Sequence, residues 1–279
     1  MTQEIQIDAL LPQEMAEKAE AIGVRKAALP FLTLFALAIL AGAFISLGAM
    51  FATTVSAGSS VLPYGVARIL VGLVFCLGLV LVVVAGAELF TGNNLIVMAW
   101  ASGKISIWAL LRNWLVVYLG NFVGSLLTAL LVYLGKQYTF GSGSVGEAAL
   151  KTAVGKVNLG FVQAIALGIL CNALVCLAIW LTYSARSVTD KILAILFPIS
   201  AFVAASFEHS VANMYFIPYA LFIKMFNPAF AASTKVDVTT LTWASFFIKN
   251  LLPVTIGNII GGSGLVALMY WFIYLRRKS

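Results

Sequence analysis

The sequence predicts an all-α polytopic membrane protein: six transmembrane helices set out as a 3+3 inverted repeat, with the second and fifth helices broken. Composition, the length of the apolar runs and motifs that occur twice predict it. Of 279 residues, 62% are hydrophobic and 10% charged, with mean hydropathy +1.04; a soluble domain carries about 25% charged residues. The net charge of +7 does not point to nucleic acid, because no basic cluster exceeds the terminal "RRK". Lys and Arg in such a chain mostly mark membrane borders. Cys76, Cys171 and Cys176 all lie inside apolar runs, with no His or second Cys at ligand spacing. Neither a disulfide framework, a metal site nor a cofactor is expected.

Residues 1–29 form an arm ahead of the transmembrane domain at 30–279. "MTQEIQIDALLPQEMAEKAE" carries five acids and lacks the basic start and short apolar core of a cleavable signal. An amphipathic helix is predicted there, with Pro12 in its first turn, Leu11, Met15, Ala19 and Ile22 on one face, and Gly23 able to end it. A crossing needs about 20 apolar residues, and runs near 30–55, 66–101, 107–135, 158–184, 191–223 and 246–275 qualify. Six crossings put both termini on one side. That side carries ten basic residues: Lys18, Arg25, Lys26, Lys104, Arg112, Arg186, Lys191, Arg276, Arg277 and Lys278. The opposite side carries seven, Arg68, Lys136, Lys151, Lys156, Lys224, Lys235 and Lys249, so the termini are expected in the cytoplasm.

The runs 66–101 and 191–223 are 36 and 33 residues long, more than one straight crossing requires, and polar residues interrupt each past its middle: "AELFTGNN" and "FEHSVANM". Interruptions at matching places in two halves point to a transport site. The halves do match. At an offset of 120, Glu88 falls on Glu208 and Asn93 on Asn213; at 137, "RNWLVVYLGNFVG" falls on "KNLLPVTIGNIIG". Repeats of about 30–135 and 158–275, each with three crossings, must be inverted relative to each other. Channels and secondary transporters are built this way. Residues common to both halves read as framework: Glu88, Glu208, Asn93 and Asn213 cap the broken ends, and the Gly-Asn pairs at 120–121 and 257–258 pack and bond helices. The differences carry function. Leu89, Phe90 and Thr91 stand opposite His209, Ser210 and Val211, so the only histidine has an apolar counterpart.

"GAELFTGNN", "SFEHSVANM", "LGNFVG" and "IGNIIGG" resemble the signatures of the formate/nitrite transporter family, and "DALLPQEMAEKAEAIGVRKA" is similar to the arm of its bacterial formate-channel branch. The resemblance runs from about Asp8 to Arg277. It implies an aquaporin-like arrangement of the six helices and a homopentamer in the bacterial inner membrane, with one pore per protomer. The implied substrates are formate and other small monocarboxylates. Phe75 and Phe202 resemble the outer constriction, and Leu79, Leu89 and Phe90 the inner one. Thr91 and His209 correspond to the polar pair between them, with Asn172 and Val175 lining nearby. Lys156 matches the lysine that attracts anions at the periplasmic entrance. Variation within the branch is expected at Gly92-Asn93-Asn94 and in a loop at 141–150.

A monocarboxylate resists an apolar slit because its charge must be desolvated. An imidazole, with an unperturbed pKa of about 6.5, can lend it a proton and let the neutral acid pass. Formate passage, as channel or formate/proton symport with His209 handling the proton, is therefore the functional expectation, and enzymatic activity is not. Nitrite and hydrosulfide are alternative permeants. From other classes, a membrane sensor or scaffold would want a signalling domain, and an intramembrane hydrolase a second catalytic group beside His209.

Overall fold

The computed structural model describes residues 9–276. Asp8, Arg277, Lys278 and the first seven residues of the arm lie outside it. Among the described residues all regular structure is helical. In chain order it comprises α1 (Pro12–Ala27), α2 (Phe31–Ser56), α3 (Tyr64–Gly86), α4 (Val97–Ala101), α5 (Ile107–Leu134) and α6 (Ser144–Val157). These are followed by α7 (Phe161–Ser184), α8 (Val188–Ala204), α9 (Ser210–Phe226), α10 (Pro228–Ser233) and α11 (Ser245–Tyr274). Five of them, α2, α3, α5, α7 and α11, are long and apolar enough to cross a membrane. The expected fifth crossing is divided into α8 and α9, of 17 residues each. The expected second crossing stops at Gly86 and resumes as a 3₁₀ turn, Gly92–Ile96, that runs into α4.

Two local expectations change. α1 does not end at Gly23 but continues to Ala27, and Leu11 is exposed. Gly23 instead lets the helix approach α4, since a Cβ there would lie 3.1 Å from Ala99 Cβ. The 141–150 stretch is not simply a loop: α6 begins at Ser144, after Gly143 at φ +89°. Val145, Ala149, Leu150, Ala153 and Val157 bury one face of α6 at helical spacing. Its glycines hid that periodicity in the sequence.

The repeat reaches back into the arm. α1 and α6 end in Lys26 and Lys156, 130 residues apart, and each lysine pairs with the glutamate of its own half: Lys26 with Glu88 at 3.0 Å and Lys156 with Glu208 at 2.7 Å. The same offset relates α2 to α7. Their contacts with α5 and α11 rest on glycines in each half: a Cβ on Gly124 would stand 2.0 Å from Ile39 O, and one on Gly261 2.1 Å from Ile169 O. Gly261→Ala is expected to force these helices apart and cost about 1–3 kcal/mol. Gly264→Ala, where a Cβ meets nothing within 4 Å, is the control; thermal midpoints in detergent compare the two. Residues that are mates and also touch mark the pseudo-two-fold axis. Tyr118 and Thr255, 137 apart, hydrogen-bond at 2.8 Å, and Cys76 Sγ meets Leu196 O, 120 further on, at 3.5 Å.

Candidate functional site

Breaking a helix inside apolar surroundings leaves backbone groups that only protein can satisfy. The first break turns at Gly86, φ +86°. Its mate at the second break is Ser206, φ +59°, a side chain in a region that favours glycine. Arg68 holds that turn, donating to Ser206 Oγ at 2.9 Å, to Ala204 O at 3.2 Å and to Val203 O.

One asparagine per half then bridges each break. Asn121 Oδ1 accepts from Phe90 N–H at 2.9 Å, while its Nδ2 donates to Ala38 O and Glu88 O at 2.8 and 2.9 Å. Asn258 repeats this on Ser210 N–H, Gly168 O and Glu208 O, all at 2.9 Å. The glutamates turn the other way. Asn93 Nδ2 donates to Glu88 Oε2 at 2.7 Å and to Asn113 Oδ1 at 2.9 Å; Asn213 Nδ2 donates to Glu208 Oε2 and to Asn250 Oδ1, both at 2.7 Å. Lysine closes each network. Lys26 Nζ also reaches Asn93 Oδ1 at 2.9 Å, whereas Lys156 Nζ lies over the Phe216 ring, 5.5 Å from its centroid. The four residues expected as caps do not cap the broken backbone, which Asn121 and Asn258 satisfy; their side chains bond one another, Asn113, Asn250 and two lysines, and Lys26 is a member that the motifs alone did not single out.

His209 stands outside this shared framework. As the residue before α9, its Nδ1 accepts from Ala212 N–H at 3.0 Å, capping the helix. That bond leaves the proton of the neutral ring on Nε2, which donates to Thr91 Oγ1 at 2.9 Å. The two breaks therefore meet through one hydrogen bond between buried side chains.

Two cavities approach this bond. One, about 490 Å³, is lined by Arg68, Lys151, Lys156 and Glu208 and floored by Phe75, Phe202 and His209. Phe75 and Phe202 meet edge to face at 5.6 Å, and Phe202 lies 5.9 Å from the His209 ring, centroid to centroid. The other, about 470 Å³, is lined by Lys18, Lys26, Lys191, Glu88 and Leu89. Thr91, Leu79, Phe90, Asn172 and Val175 line neither cavity and are buried. Phe90 packs edge-on against Tyr118 and Trp114. Asn172 donates to Thr91 O at 3.3 Å and to Asn258 O at 2.7 Å.

Two cation-lined vestibules, parted by an apolar barrier at the meeting point of two broken helices, define a multi-pass membrane protein of the inverted-repeat transport class. The family model described as formate/nitrite transporter matches residues 13–272, and the chain belongs to that family. It is 48% identical over 276 residues to the formate channel FocA of Escherichia coli (strain K12), covering 98% of this chain and 97% of that one. FocA of Haemophilus influenzae is 43% identical over 260 residues, 91% of each chain. A solved structure titled as a pentameric formate channel with formate bound superposes with a TM-score of 0.83 at 45% identity, covering 88% of this chain and 98% of the other.

Proposed function

We propose that the protein passes formate across a bacterial inner membrane, as a homopentamer with both termini in the cytoplasm, and that His209 couples passage to a proton. The contact between His209 Nε2 and Thr91 Oγ1 at 2.9 Å carries this reading. It sets a proton-bearing nitrogen beside the barrier that a naked carboxylate cannot cross. A neutral imidazole is a poor donor, because giving up its Nε2 proton would leave an anion. The donor is the imidazolium, formed when Nδ1 takes a proton and releases Ala212 N–H, at about 1 kcal/mol for the lost cap. A formate oxygen that replaces Thr91 then takes the Nε2 proton, and formic acid crosses the apolar residues as a neutral molecule. Return of the proton to Nε2 makes the pore a formate channel; departure of the intact acid makes it a symporter. Lys156, which lines the larger cavity, draws the anion in.

Proteoliposomes loaded with a pH dye separate these routes. Wild-type protein is expected to show formate flux that changes with pH, and His209→Ala to lose that pH dependence, with flux reduced roughly 100-fold. An alanine variant with the wild-type pH profile would remove His209 from proton handling. Nitrite and hydrosulfide, run as competitors, test the choice of permeant.

A further inference from the structure

The two breaks are not held in the same way. After the second break the chain enters α9 at once, and the carbonyls of Ser210 and Val211 join a regular helical ladder. After the first it enters the 3₁₀ turn, and the carbonyls of Phe90 and Thr91 accept hydrogen bonds from side chains as well. Asn94 Nδ2 donates to Phe90 O at 2.9 Å, and Asn172 Nδ2 and Cys176 Sγ both reach Thr91 O at 3.3 Å. Ser263 Oγ, from the other repeat, holds Asn94 Oδ1 at 2.8 Å.

Nothing in the repeat requires this. The mates of Asn94 and Ser263 are Met214 and Leu126, which have no polar group to offer. The mate of Asn172 is Gly42, which has no side chain at all. Glycine has also changed sides. Gly42 O accepts from Ser125 Oγ at 3.2 Å, and the mate of Ser125 is Gly262. A Cβ on Gly262 would lie 2.3 Å from Asn172 Nδ2 and 2.8 Å from Asn94 Cβ and Cys176 Sγ. A polar side chain therefore fits at 172 because 262 is empty, and it reaches the partner of His209 through that space.

We propose that Gly262 and Ser263 are positioning residues. They seat Asn172 and Asn94 on the carbonyls of Thr91 and Phe90, and through them set how strictly the barrier selects among small monocarboxylates. The transport part of this rests on the function proposed above; the clamp itself does not. Three variants test it: Gly262→Ser, Ser263→Ala, and the double change Asn172→Gly with Gly262→Ser, which copies the first repeat and restores volume. Amide hydrogen exchange in the detergent-solubilised oligomer is expected to rise in residues 88–95 in all three and to stay unchanged in 208–214 in Ser263→Ala, which leaves the Asn172 bond to Asn258 O in place. The formate-to-acetate flux ratio is expected to fall about tenfold in Gly262→Ser, and the double variant is expected to regain thermal stability but not the ratio. Wild-type exchange in both single variants would overturn the clamp. Raised exchange with an unchanged flux ratio, or a double variant with the wild-type ratio, would overturn its part in selectivity. Absence of formate flux from the wild type would sink the proposed function while the exchange data still decide the clamp.

Discussion

Asn258→Ala is expected to lose the folded oligomer from detergent extracts, or to lower its stability by about 5 kcal/mol. The side chain is fully buried and makes three hydrogen bonds, two to backbone groups that the break leaves without a helical partner, Ser210 N–H and Glu208 O, and one that ties the break to Gly168 O in the unbroken α7. Truncation strands Ser210 N–H and the carbonyl of Glu208 and cuts the tie to α7. Each buried orphan costs about 1–3 kcal/mol, against a total stability of about 5–15 kcal/mol for an ordinary fold. Asn258→Asp sharpens the argument. It keeps an acceptor for Ser210 N–H but turns an oxygen toward two carbonyls, so it too must destabilise, although its shape is conserved. Asn121→Ala makes the same experiment in the other half, on Phe90, Ala38 and Glu88. Size-exclusion profiles and tryptophan-fluorescence melts measure all three; a midpoint within about 2 °C of wild type for Asn258→Ala would refute the bridging role.

This framework was legible in the sequence because it is repeated. A chain with few asparagines cannot place Asn113, Asn121, Asn250 and Asn258 at one offset without a shared structural need: Asn121 and Asn258 bridge the two breaks, and Asn113 and Asn250 hold the Glu-Asn-Lys network of each half. Lys26 was less legible. Its mate Lys156 lies at an offset of 130, between the two offsets that the helix motifs carry, and no run of identical neighbours marks it. α6 escaped because Gly141, Gly143, Gly146 and Gly155 break up an apolar pattern that only packing makes plain. The Gly262 pocket could not be read at all. One glycine among 23 becomes informative only when the distance from its missing Cβ to Asn172 is known. His209 lies between these cases: its lack of a counterpart singled it out, but its Nδ1 cap, which fixes where the proton sits, is a matter of geometry.

Lys156→Met is expected to be strongly destabilising, by about 3–5 kcal/mol, because it leaves a buried carboxylate without its cation. Glu208 would keep only the Nδ2 donors of Asn213 and Asn250, at 2.7 and 3.2 Å. Low flux from this variant would therefore say little about anion attraction. The double variant Lys156→Met with Glu208→Gln removes the charge but keeps an oxygen for those donors, so its stability is expected to return to within about 1 kcal/mol of wild type. Its transport then isolates the charge. At 2.7 Å from Glu208 the ammonium acts on distant anions as half of a dipole, and its pull is short-ranged, through the donors left facing the cavity. The double variant is expected to show a KM for formate raised about tenfold with kcat little changed, the mark of lost ground-state binding. Raising ionic strength should increase KM in the wild type and less steeply in the double variant, where Arg68 and Lys151 still line the cavity but the Lys156 charge is gone. Lys26→Met with Glu88→Gln provides the comparison from the other vestibule: it should raise KM for flux started on its own side alone. A Lys156/Glu208 double variant that matches wild type in KM and in salt response would leave that pair, like Asn213 and Asn250 beside it, as support for the broken helix and nothing more.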